Sequence, residues 1–121
     1  MAKKILIVDD SSTVRQVLRL TLENAGFQTI EAADGTVALA KLGSERFDMM
    51  ITDLNMPNLD GIDLIKAIRQ SPENRFVPII MLTTESAEDK KQQGKAAGAS
   101  GWIVKPFKPE QLLKAVKMVL G

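Results

Sequence analysis

The sequence contains no cysteine and no histidine. Without cysteine there are no disulfides, thiol nucleophiles or thiolate metal sites, which fits a reducing compartment. Without histidine there are no His-based triads, imidazole general bases or imidazole–metal sites. Any metal must therefore be held by oxygen, which points to Mg²⁺ or Mn²⁺. An excess of charge of either sign is also missing. Sixteen Lys and Arg face fifteen Asp and Glu, so no overall field directs the chain to nucleic acid or membrane. Long apolar runs are absent, and with them a membrane span. The start Lys3-Lys4-Ile5-Leu6-Ile7-Val8 has the basic opening of a signal peptide, but its apolar run stops at Asp9-Asp10, far short of one. The expected location is the cytoplasm.

What the chain does have is alternation. At 121 residues it is long enough for one core and one domain, residues 1–121. Ile5 to Val8 reads as a buried parallel strand, with Ser11 or Ser12 as the cap of a helix after it. Val14, Val17, Leu18, Thr21, Leu22 and Ala25 form the stripe of that helix, and Gly26 ends it. Phe27 to Ala32 is a weaker second strand. Asp34-Gly35 turns the chain into a short helix opened by Thr36. Phe47 to Thr52 is the third strand, and the loop after it carries Pro57 and Gly61. Ile62, Leu64, Ile65 and Ile68 make the next helical face. Ile79 to Thr83 is the fourth strand, and Ala87 to Ala97 a polar helix in which Gly94 lowers helicity. A fifth strand runs through Trp102-Ile103-Val104, and a last amphipathic helix starts at Pro109. Strand and helix in turn imply right-handed crossovers and a parallel sheet covered on both faces. The expected fold is α/β, a flavodoxin-like doubly wound (βα)5 domain with strand order 2-1-3-4-5. No linker or attached output domain is expected.

Four of the five strands end in a residue fit for phosphoryl chemistry: Asp9-Asp10, Asp53, Thr83 and Lys105. In the order 2-1-3-4-5 these ends share one edge, where open α/β sheets bind ligands. The strand without such an ending is the second, at the sheet border. Asp9, Asp10 and Asp53 would sum to about −3, and Lys105 leaves roughly −2, so a divalent cation brings the cluster near neutrality. Asp53 at a strand-to-loop junction can attack phosphorus. Thr83 and Lys105 can each bind a phosphoryl oxygen, and Asn55 is placed to offer its backbone carbonyl to a metal. Singly, these residues have ordinary roles: turn and cap for Asp9-Asp10, a loop acid for Asp53, a helix cap for Thr83-Thr84, a solvated lysine for Lys105. Their joint occurrence in strand order is what makes those roles improbable.

The motifs Ile7-Val8-Asp9-Asp10-Ser11, Thr52-Asp53-Leu54-Asn55-Met56-Pro57 with Asp60-Gly61, Leu82-Thr83-Thr84 and Val104-Lys105-Pro106-Phe107 resemble the receiver domain of two-component response regulators. The resemblance is closest to the stand-alone chemotaxis type and covers essentially the whole chain. It implies a phosphoacceptor rather than an enzyme, with Asp53 taking phosphate from a phosphohistidine on a histidine kinase of the CheA type. It implies Mg²⁺ held by Asp10, Asp53 and the carbonyl of Asn55, with Asp9 acting through water. Thr83 and Lys105 become the pair that senses the phosphoryl group, and the Lys105-Pro106 bond is expected to be cis. Asn55 and Glu85 fall at positions that tune self-dephosphorylation, with an auxiliary phosphatase as a further expected partner. Trp102 departs from the family, whose switch residue there is usually Tyr, Phe or His.

The expected output surface is the fourth helix, fifth strand and fifth helix. Trp102 there would lie among Thr84, Lys90, Lys91, Lys95 and Lys108, a basic surface for an acidic or amphipathic partner such as a flagellar motor switch. A monomer that binds neither nucleic acid nor membrane is expected. Alternatives are a phosphate sink or a regulator of another enzyme. An aspartate-nucleophile phosphatase would want Asp-x-Asp after the first strand and a cap domain. A flavodoxin-like cofactor binder would want Ser, Thr and Gly where Asp9-Asp10 stands.

Overall fold

The computed structural model describes residues 2–84 and 88–120. Strands and helices alternate along it: β1 (Lys4–Val8), α1 (Ser12–Asn24), β2 (Gln28–Ala32), α2 (Gly35–Leu42), β3 (Met49–Asp53), α3 (Gly61–Gln70), β4 (Ile79–Thr83), α4 (Glu88–Ala97), β5 (Gly101–Val104) and α5 (Pro109–Leu120). A 3-10 turn, Pro72–Asn74, follows α3. The strands are all parallel in the order β2-β1-β3-β4-β5, as the sequence predicts. No helix among the described residues is long and apolar enough to cross a membrane.

Successive strand side chains point to opposite faces, so continuous apolar runs supply two cores. On one face Leu6, Val8, Met50, Ile79 and Met81 pack with Leu64, Ile65 and Ile68 of α3 and with Ala38 and Ala97. On the other, Ile5, Ile7, Met49, Ile51, Ile80, Leu82 and Ile103 meet Leu18 and Leu22 of α1 and Leu112 and Val116 of α5. Both faces are covered, which such runs require in a parallel sheet.

The helices following β1, β2 and β3 begin on side-chain caps. Ser11 accepts from the Val14 amide, Asp34 from the Thr36 and Val37 amides, and Asp60 from the Asp63 amide. Each cap satisfies amide donors that the helix itself leaves unpaired. The first helix is therefore capped by Ser11, not Ser12, and the second by Asp34, one residue before Gly35 rather than at Thr36. β3 runs one residue beyond the expected Thr52, so Asp53 is its last residue and its backbone is held by the sheet. α4 is described from Glu88 onward, and the residues that lead into it from Thr84 lie outside the described residues. Gly94 is more than a weak spot in α4. It is buried, and a Cβ there would come within 2.1 Å of the Met81 side chain, so glycine lets α4 lie close over β4.

Candidate functional site

Register aligns the strand ends. Val8 pairs with Thr52, Asp53 with Leu82, and Thr83 with Val104, so Asp9, Asp53, Thr83 and Lys105 share the carboxyl edge of adjacent strands. Asp9, Asp10 and Asp53 each bring a carboxylate oxygen to one point, all within 4.8 Å of one another. Asp9 is fully buried, Asp53 nearly so, and Asp10 opens to solvent. Lys105 Nζ lies 3.0 Å from Asp9 Oδ2 and 3.3 Å from Asp53 Oδ1. The bond from Lys105 to Pro106 is cis.

Asp9 is held from several sides. Its Oδ1 accepts the Ser11 amide at 2.9 Å and its Oδ2 accepts Lys105. Its own amide donates to the Ala32 carbonyl of β2 at 3.2 Å, and its carbonyl accepts Arg15 Nη1. Asp53 Oδ1 accepts the Leu54 amide at 2.9 Å, and Thr52 Oγ1 donates to the Asp53 carbonyl at 3.0 Å. The start of α3 presses on the same backbone, because a Cβ on Gly61 would lie 2.2 Å from the Asp53 carbonyl oxygen. The loop between β3 and α3 is tied back by Asn58, at φ 71°, whose Nδ2 donates to Asp34 Oδ2 at 3.0 Å.

The electrostatics are those of a cation deficit. Burial pushes the Asp53 carboxyl above its ordinary value and the charge of Asp9 pushes it further, while Lys105 and the Leu54 amide offset this only in part. Burial opposes the charge on Lys105, yet the hydrogen bond it donates to Asp9 and the charges of Asp53 and Asp9 together raise it above an ordinary lysine. One ammonium thus serves two buried carboxylates, and a third acid stands beside them. Hard oxygen donors in this number and charge fit a divalent cation such as Mg²⁺.

The other expected residues fall into two groups. Thr83 is buried at the end of β4, and Asn55 is exposed two residues after Asp53. Thr84 is exposed and, with Lys105, Pro106, Phe107 and the α1 residues Thr13, Val14 and Val17, lines a shallow apolar groove of about 330 Å³. Val17 was expected in the core stripe of α1 but is 46% exposed, on the wall of this open groove. Glu85 lies outside the described residues. Trp102 is 40% exposed on β5, with Lys91 Nζ 4.9 Å from its ring centroid and Lys95 beside it. Gln111, Lys114 and Met118 of α5 continue that surface. Lys90 and Lys108 do not line these grooves. Lys108 instead leads into α5, where its amide donates to Gln111. Lys114, which the sequence reading passed over, lines a groove with Trp102. Arg15 and Glu31 were missed as well, although two arginines one turn apart on α1 were visible.

The comparisons follow this geometry. The model of the response regulator receiver domain matches residues 5–117. The chain is 42% identical over 117 residues to the chemotaxis protein CheY of Pseudomonas aeruginosa, covering 96% of this chain and 94% of that one. A solved structure of the chemotaxis response regulator CheY4 of Vibrio cholerae superposes with a TM-score of 0.95 at 50% identity, covering 98% and 99% of the two chains. The receiver domain of the sensor histidine kinase PA1611 of Pseudomonas aeruginosa, solved with magnesium coordinated in its active-site cleft, superposes with a TM-score of 0.91 at 29% identity over 100% and 99%.

Proposed function

The chain belongs to the response regulator receiver family, as a CheY-like member of two-component signalling, and from that premise we propose that Asp53 is its phosphoacceptor. The observation that carries the reading is the convergence of Asp9, Asp10 and Asp53 within 4.8 Å beside Lys105. Asp10, Asp53 and the carbonyl of Asn55 would hold Mg²⁺, with Asp9 contributing through water. When bound, the ion would offset the negative charge of the three acids and so favour the approach of a phosphorylated donor.

The chain's own residues do the rest. An Asp53 carboxylate oxygen forms the new bond to phosphorus as the phosphorus–nitrogen bond of a kinase phosphohistidine breaks, and the imidazole leaves with the bonding pair. Burial keeps the attacking carboxylate poorly solvated, so less hydration is stripped when a donor arrives. Lys105, already between Asp9 and Asp53, can pair with a phosphoryl oxygen, and Thr83 can donate to another. No substrate is turned over, so the domain acts as a phosphoacceptor that promotes only its own phosphorylation and dephosphorylation.

The output face is α4, β5 and α5 around Trp102. Lys91, Lys95 and Lys114 make it basic, suited to an acidic or amphipathic partner such as a motor switch protein. The kinase would be of the CheA type.

Incubation with Mg²⁺ and acetyl phosphate tests the acceptor. The wild type is expected to carry one phosphoryl group by intact mass, stable in acid and labile in alkali. Undiminished labelling of Asp53→Asn would overturn the assignment.

A further inference from the structure

We propose that Arg15 is a positioning residue for the acidic pocket, holding the Asp9–Asp10 peptide in the orientation that presents Asp10 to a divalent cation. The inference rests on reading the pocket as a Mg²⁺ site. Asp10 is exposed, and among the described residues its carboxylate takes no hydrogen bond. With no partner to hold the carboxylate, the backbone before it sets where the side chain leaves the chain. The Asp9 carbonyl and the Asp10 amide share one planar peptide unit, so whatever holds that carbonyl fixes where Asp10 leaves the chain. Arg15 Nη1 donates to it.

Arg15 is itself anchored at two ends. Its amide donates to the Ser11 carbonyl at 3.0 Å, placing it in the first turn of α1. Its Nε donates to Glu31 Oε1 on β2 at 3.2 Å. Glu31 Oε2 in turn lies 3.5 Å from Arg19 Nε, an ion-pair distance without a hydrogen bond, so a second arginine one helical turn on stands beside the same carboxylate. The planar guanidinium spans from Glu31 to the Asp9 carbonyl, a reach that needs its fork of donors. It is largely buried, with 17% of its side chain exposed. Outer partners that orient metal ligands in this way commonly account for tenfold or more in metal affinity.

Charge and position predict opposite signs, and this makes the inference decidable. Arg15 is a cation near a cation site. By Coulomb's law alone its removal tightens Mg²⁺ binding. If it positions Asp10, its removal weakens binding.

The experiment is calorimetric titration of Mg²⁺ into metal-free protein. Arg15→Ala is expected to weaken binding about tenfold. Arg15→Lys keeps the charge without the fork and is expected to weaken it also, whereas a purely electrostatic role leaves it unchanged. Ala115→Gly lowers stability in α5, a helix that carries neither Arg15, Glu31 nor any of the three acids, and is expected to leave the affinity alone. Glu31→Ala, which still reports if Arg15→Ala does not fold, is expected to weaken binding in the same direction. The double variant is expected to be no weaker than Arg15→Ala, since both changes break one linkage. Unchanged or tighter binding in Arg15→Ala, or independent additive losses in the double variant, overturns the role of Arg15 alone. Failure of the wild type to bind Mg²⁺ overturns the reading of the pocket with it.

Discussion

Burial and pairing pull Lys105 in opposite directions, and pairing wins because two carboxylates share its ammonium. Replacing it with methionine leaves Asp9, fully buried, and Asp53, nearly so, without their common cation. Metal-free Lys105→Met is therefore expected to lose about 1–3 kcal/mol of unfolding free energy near neutral pH, measured in urea. The same change should strengthen Mg²⁺ binding, since lysine and ion draw on the same oxygens. The rise in Tm from EDTA to saturating Mg²⁺ should then be larger in Lys105→Met than in the wild type. An equal rise in both would show that Lys105 and the ion do not share those ligands. Phosphoryl-dependent changes elsewhere should fail in this variant, because the ammonium that would couple the new anion to the end of β5 is gone.

Asp34 joins elements rather than reacting, capping α2 and accepting from Asn58 in the loop between β3 and α3. The Thr36 hydroxyl, the Val37 amide and Asn58 hold its carboxyl down at about 2, against an ordinary 3.8. The folded value lies below the unfolded one, so the ionised group stabilises fully above the unfolded value, and that contribution fades as pH falls from 3.8 through about 2. Asparagine can cap the helix but cannot ionise. Asp34→Asn is accordingly expected to be less stable than the wild type at neutral pH, with the gap closing as the pH approaches 2, measured by urea unfolding at each pH. A gap that stays constant would mean the charge contributes nothing to the cap. At the neighbouring junction, Gly61→Ala puts a Cβ 2.2 Å from the Asp53 carbonyl, and α3 must retreat. A loss of about 1–3 kcal/mol is expected from overpacking, together with slower labelling of Asp53 by acetyl phosphate. A labelling rate equal to wild type would show that α3 does not set the Asp53 backbone.

Across the whole molecule, the parts legible in the sequence are those that depend on one strand at a time. Ile5–Val8, Met49–Ile51 and Ile79–Leu82 are continuous apolar runs, and a strand buried on both faces marks a parallel sheet. Asp9, Asp53, Thr83 and Lys105 were legible because strand endings inherit the order of the strands. Contacts between unlike elements were not. The link from Arg15 to Glu31 depends on how α1 rotates as it crosses β2, and the phase of α5 against β5 is what puts Lys114 in one groove with Trp102. Those geometric relations now bear on signalling. Asp53 and Trp102 sit on β3 and β5 with β4 between them, and Lys105 follows Trp102 by three residues, directly after the last residue of β5. A phosphoryl group on Asp53 that recruits Lys105 must pull on the end of β5, and Trp102 is the only tryptophan in the chain. Its emission should therefore change when Mg²⁺ and beryllofluoride occupy the pocket, and should stay constant in Asp53→Asn. Lys91→Met removes the ammonium over the ring and should alter the starting emission while leaving the response in place. A response that survives in Asp53→Asn would place its origin outside the pocket, and β5 would then not be the route from acceptor to output face.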